Sequence, residues 1–169
     1  LFVRDLPRLS VDIDLVYLPM DDRDSALKNI TAALDRIAAA ILQAMPDAKI
    51  IKSFEMQADA LRLFVTQAGE RIKIELSPVL RGSVFPPEIR EFSPRVEEQF
   101  GYVEMPLLSF PDLYAGKLCA ALDRQHPRDL FDVKLLLDNE GLTSDLIKTF
   151  VVYLISHNRT MGELLRPTR

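Results

Sequence analysis

The sequence predicts an α+β fold, a small mixed sheet with flanking helices followed by a C-terminal helical bundle. Three observations predict it. Short runs in the first part alternate apolar and polar residues, a long segment between those runs repeats apolar residues every three or four positions, and the chain reads as helical from Pro106 onward. The expected division is an α/β core over residues 1–105 and a helical region over 106–169.

The first strand signal covers residues 11–18 and stops at Pro19. Asp21 or Asp22 can cap the helix that follows, and acids in its first turn complement the helix dipole. Leu27, Ile30, Leu34, Ile37, Ile41, Leu42 and Met45 then mark an amphipathic helix of about six turns, ended near Pro46. Three β-type runs follow at 48–56, 60–67 and 71–77. In the last two, Leu61, Leu63, Val65 and Ile72, Ile74, Leu76 alternate with polar residues around Ala68-Gly69-Glu70, the pattern of a hairpin with one buried face. Gly82, Pro86, Pro87 and Pro94 break the stretch from Pro78 to Met105, which reads as irregular loop with one or two short strands. One helix then starts near Pro111-Asp112, and a second begins at His126-Pro127-Arg128 and stops at Gly141. A third is capped by Thr143 or Ser144.

Composition excludes several classes. The chain has 169 residues, 48% of them hydrophobic and 27% charged, which is ordinary for a globular domain. A net charge of −4 argues against a general nucleic-acid binder, although a local basic patch is compatible with it. The single Cys119 excludes an internal disulfide framework, suits a reducing cytoplasm, and reads as a small buried residue on a helix. No run approaches the roughly 18 apolar residues of a membrane span. The chain begins at Leu1 rather than Met, so the natural N-terminus is expected to be missing.

The chemistry concentrates in two places. Asp12 and Asp14 stand two apart in an apolar run, so on a strand they project to one face while Ile13 and Leu15 point to the other, toward a core. Side-by-side carboxylates repel, and a hard divalent cation such as Mg²⁺ relieves that repulsion. A half-exposed edge strand explains the same pair without a metal. Glu75 in Arg71-Ile72-Lys73-Ile74-Glu75-Leu76 is the candidate third acid, sharing its face with Lys73, and a salt-bridged surface is the plain alternative. Three strand-borne acids can hold two metals about 4 Å apart, which would bind triphosphate and activate an attacking oxygen. The second place is Lys117 to Asp132. Lys117 sits among small and apolar residues, where a cation needs a partner, and Asp129 and Asp132 fall on nearby faces of one helix. His126, before a proline, is read as a cap rather than a catalyst.

Arg8-Leu9-Ser10-x-Asp12-Ile13-Asp14-Leu15, then Ser109-Phe110-x-x-Leu113-x-Ala115-x-Lys117-Leu118, then Pro127-Arg128-Asp129-Leu130-Phe131-Asp132 resemble the AbiEii/AbiGii toxin family of nucleotidyltransferases in order and spacing. The resemblance implies a nucleotidyltransferase sheet of the polymerase-beta-like superfamily. It implies that Asp12 and Asp14, with Glu75, hold metal, that Lys117 contacts phosphate, and that Asp132 is needed for activity. Arg8, Ser10 and Arg128 would help hold the nucleotide. The superfamily's Gly-Ser or Gly-Gly element upstream of the acid pair does not fall within this chain.

The function expected is therefore Mg²⁺-dependent transfer of a nucleotide from a nucleoside triphosphate to an acceptor such as a tRNA end, in a cytoplasmic toxin with a separate antitoxin as partner. Arg81, Arg90, Arg95 and Arg124 could contribute an RNA-facing surface, and scattered solvated charge is the alternative. Two other readings are a degenerate nucleotidyltransferase fold serving as a non-catalytic interaction module and a small-molecule nucleotidyltransferase.

Overall fold

A computed structural model describes residues 2, 12–56, 61–77 and 81–166. The fold is α+β, as expected: a four-stranded mixed sheet, a two-stranded sheet and helices that follow the strands. The described chain falls into two compact units that part between Gly82 and Ser83. The division expected after residue 105 lies inside a strand, Glu104–Leu107.

In the first unit, β1 (Asp12–Leu15), α1 (Arg23–Ala44), β2 (Lys49–Lys52), β3 (Arg62–Gln67) and β4 (Glu70–Leu76) build one sheet with a helix packed on it. The strand order is β1-β4-β3-β2, with β1 parallel to β4 and the other pairs antiparallel. Asp22 caps α1, its Oδ1 accepting the N–H groups of Asp24 and Ser25 at 3.0 Å each. Ala26, Ile30, Leu34 and Ala38 form the buried stripe of α1. Ile30, Leu34 and Ala38 share a core cluster with Leu61, Leu63, Val65, Ile74 and Leu76. Ala68 and Gly69 both have positive φ, 50° and 87°, between the paired Gln67 and Glu70. Such a two-residue turn matches the twist of the hairpin.

Two residues expected in this core lie at its margin. Ile13 is 42% and Ile72 45% exposed, because the short helical stripe covers the middle of the sheet. Ile13 sits on the edge strand, and Leu15 alone of its pair packs against the core cluster. The run expected over 48–56 is a strand only to Lys52 and then turns as a 3₁₀ helix, Ser53–Glu55. Beyond β1 a polar clamp fixes the exit of the acid-bearing strand. The Tyr17 hydroxyl donates to Asp21, and Asn29 Nδ2 donates to both Tyr17 and Asp21 at 3.1 and 3.0 Å. Gly82 N–H donates to the Tyr17 carbonyl at 2.8 Å, and Arg81 to that of Asp21 at 2.6 Å.

The second unit contains β5 (Glu88–Glu91), α2 (Pro94–Phe100), β6 (Glu104–Leu107), α3 (Phe110–Arg124), α4 (Pro127–Asn139), α5 (Ser144–Ile155) and α6 (Met161–Leu165). β5 and β6 form an antiparallel ribbon. Helix α2 replaces part of the expected loop: Pro94 opens it rather than breaking it, since a proline at the first helical position loses no needed N–H. Helix α6 is too short to show periodicity. Tyr114, Ala115, Leu136 and Leu146 make the buried cluster among α3, α4 and α5. Cys119 is buried on α3, as expected, and burial pushes its thiol up to about 11.

Asp112 holds this unit together. It is 0% exposed, and its carboxylate accepts the N–H groups of Val84 at 2.7 Å and Phe85 at 3.0 Å, the Ser109 hydroxyl at 2.7 Å and the Tyr153 hydroxyl at 3.1 Å. Ser109 in turn accepts the Asp112 N–H and caps α3. Burial, then the adjacent Asp112 charge, pushes the Tyr153 phenol up. Removing the carboxylate leaves four donors without this acceptor, one buried and the others partly buried, so each costs at most about 1–3 kcal/mol. Asp112→Ala should therefore cost about 2–4 kcal/mol in urea unfolding, and Asp112→Asn, which keeps one acceptor oxygen, clearly less.

Candidate active site

Parallel pairing of β1 with β4 sets Asp12 opposite Lys73 and Asp14 opposite Glu75. The β3–β4 register extends these rows, so Asp14, Glu75 and Arg62 run across one row of the sheet and Asp12, Lys73 and Phe64 across the next. Paired residues point to the same face. The structure thus brings together the three acids singled out in the sequence, on the side of the sheet away from the α1 core.

Lys73 stands among them. Its Nζ donates to Glu75 Oε2 at 2.6 Å and lies 3.5 Å from Asp12 Oδ2. The Glu75 hydrogen bond, helped by the charges of Glu75, Asp12 and Asp14, raises the Lys73 ammonium above its ordinary value against the opposing effect of burial. Arg62 reaches Glu75 from the other side, Nη2 to Oε1 at 3.7 Å, and its buried Nε has no hydrogen-bond partner among the described residues. Arg71 lies over the Phe64 ring, 4.0 Å from its centroid.

The donor set suits a hard divalent cation in type, being all carboxylate, and in the face it shares. It is not drawn into a closed ligand cluster: among the described residues no three His, Cys, Asp or Glu side chains are placed to hold a metal ion. The Lys73 ammonium meets two of these carboxylates, Glu75 and Asp12.

Lys117 and Asp132 belong to the second unit and pair with each other, Nζ to Oδ2 at 2.7 Å across α3 and α4. Asp132 is buried and Lys117 partly open to solvent. One helical turn earlier, Asp129, also buried, accepts Arg124 bidentately at 2.7 and 3.0 Å. Asp129 and Asp132 continue the buried stripe that Leu136 completes, so two acids face α3 at the positive end of α4. His126 caps α4, as expected, its Nδ1 accepting the Arg128 N–H at 3.2 Å. The Arg128 side chain is exposed. Arg8 and Ser10 lie outside the described residues. Of the arginines considered for an RNA surface, Arg81 binds the Asp21 carbonyl, Arg90 binds Glu88 and Arg124 binds Asp129.

Sequence reasoning missed two members of these constellations. Strand period sets Lys73 on the face of Glu75, but its contact with Asp12 depends on a parallel register that only the fold supplies. Asp112 has a local signal, the Ser109-x-x-Asp112 spacing of a capping box, which marks a helix start yet not a buried hub.

A family model described as "Nucleotidyl transferase AbiEii toxin, Type IV TA system" matches residues 1–168. The fold and the acid face thus sit in a nucleotidyltransferase. The chain belongs to the AbiEii toxin family of type IV toxin–antitoxin systems. No curated protein and no solved structure matches it significantly. No helix among the described residues is long and apolar enough to cross a membrane.

The Lys117–Asp132 pair is partly desolvated, so removing one partner leaves the other poorly compensated. Lys117→Met should lower unfolding stability by about 1–3 kcal/mol, and Lys117→Met with Asp132→Leu should cost less than the sum of the single changes in a double-mutant cycle.

Proposed function

We propose that this chain transfers a nucleotide from a nucleoside triphosphate to an acceptor hydroxyl, such as that of a tRNA end, with Mg²⁺ held by Asp12, Asp14 and Glu75. The observation that supports it most directly is the β1–β4 register, which sets Asp14 beside Glu75 and puts all three carboxylates on one face. Mg²⁺ bound there would neutralise phosphate charge and favour the deprotonated acceptor oxygen. In the transfer, a bond forms between that oxygen and the α-phosphorus as the bond to the leaving pyrophosphate breaks.

The chain's own residues supply position and charge, the usual burden of phosphoryl-transfer catalysis. In the family resemblance Lys117 has a phosphate-contacting role, and a lysine ammonium would suit it as a point charge. Asp132, buried and bonded to it, fixes the direction of that ammonium. The resemblance assigns Arg128, Arg8 and Ser10 to nucleotide binding, a role each would fill through charge or hydrogen bonding to phosphate. The type IV toxin family implies an antitoxin partner. A second reading, in which the acceptor is a small molecule, is favoured by the net charge of −4 and by the internal partners of Arg81, Arg90 and Arg124.

Incubation with each labelled triphosphate, Mg²⁺ and either total RNA or a small-molecule fraction separates the two acceptors by where the label appears. Asp12→Asn and Asp14→Asn should each abolish label transfer while leaving the thermal midpoint unchanged or slightly higher, because each relieves carboxylate repulsion. Retained transfer in either variant would remove that residue from the cation site.

A further inference from the structure

We propose that Lys73 is a resident counter-cation of the acid face, one that competes with a divalent ion for the same carboxylates and keeps the ion weakly bound until a triphosphate arrives with it. The inference rests on the cation site proposed above at Asp12, Asp14 and Glu75.

Geometry supports the competition. The ammonium donates to Glu75 at 2.6 Å and lies 3.5 Å from Asp12, so it occupies oxygen atoms that a metal would need. Register holds it there, since Lys73 is the cross-strand partner of Asp12 and stands two residues before Glu75. Its side chain is 27% exposed, so its charge is felt through partly desolvated surroundings. A divalent ion entering beside it meets a like charge within a few ångströms. Lysine also suits a partner that must let go, being a flexible stem that carries a compact point charge. A triphosphate brings anionic oxygens that give the ammonium somewhere else to go. Ion and triphosphate together can therefore take the site where the ion alone binds poorly. Arg62 cannot substitute in this role: its nearest Glu75 contact is the longer one, 3.7 Å, and it is paired in register with Glu75 rather than with either aspartate.

The test uses the full chain and Mn²⁺ alone, with free ion read by its electron paramagnetic resonance signal. Lys73→Met and Lys73→Gln should each bind Mn²⁺ roughly tenfold tighter than the unmodified protein without nucleotide, and Lys73→Arg, which keeps the charge, should stay within about twofold of it. Equal or weaker binding in the Met and Gln variants overturns the role of Lys73. Absence of Mn²⁺ binding in every protein removes the cation site itself, and the competition falls with it. Thermal midpoints in EDTA give a second readout. Asp12→Asn should raise the midpoint more in the Lys73→Met background than in the unmodified protein, and an equal effect in both overturns the proposal.

Discussion

Three carboxylates share one face of a four-stranded sheet, and their mutual repulsion favours bringing positive charge to it. The parallel pairing of β1 with β4 meets the requirement in the same stroke that creates it. The register that sets Asp14 beside Glu75 also sets Asp12 beside Lys73. A slip by one residue would turn every side chain of β1 over, placing Asp12 and Asp14 against the α1 core and Ile13 on the polar face. Neither face would tolerate it. Burial of Leu15 and the charge balance of the acid face therefore specify the same register, and the Tyr17–Asp21–Asn29 clamp holds the strand where it leaves the sheet.

The second unit meets the same constraint differently. Three of its acids are buried rather than surface-borne, and each has fixed partners: Asp112 takes two backbone N–H groups and two hydroxyls, Asp129 takes a guanidinium and Asp132 takes an ammonium. A buried carboxylate without such partners would be costly. The contrast between Asp129 and Asp132 is instructive. Arg124 grips Asp129 with two parallel bonds, a geometry suited to holding helices together. Lys117 meets Asp132 through a single contact of a point charge, which leaves its other N–H donors directed away from the pair.

Much of this was legible in the chain. The periodicity of Ile30, Leu34 and Ile41 marked α1, the alternation through Leu63 and Ile74 marked the hairpin, and His126 before Pro127 marked a helix cap. The sharing of one face by Asp12 and Asp14 follows from strand period alone. What was not legible depended on long-range pairing or on cover. Nothing local says that β1 runs parallel to β4, so the Lys73–Asp12 contact could not be read. Ile13 and Ile72 carry the right residue type for a core, yet α1 is too narrow a lid to reach them. Pro94 looked like a breaker because a proline's meaning depends on whether it opens a helix or interrupts one. Asp112 marks only a helix start in the sequence, and its hydrogen-bond partners Val84, Phe85 and Tyr153 are remote in sequence.

Stability and chemistry compete for the same side chains on the acid face. A sheet selected for stability alone would replace Asp14, which is exposed and adds negative charge next to Glu75, with a neutral β-former. The core gains nothing from it, since it lies on the face away from α1. Lys73 offsets part of the resulting repulsion and Arg62 a little more, leaving the row negative. Under the function proposed above, residual negative charge on that row is what a cation site would need, and a salt-bridged surface already at balance would lack it. Lys73 would then set how far from balance the row stays.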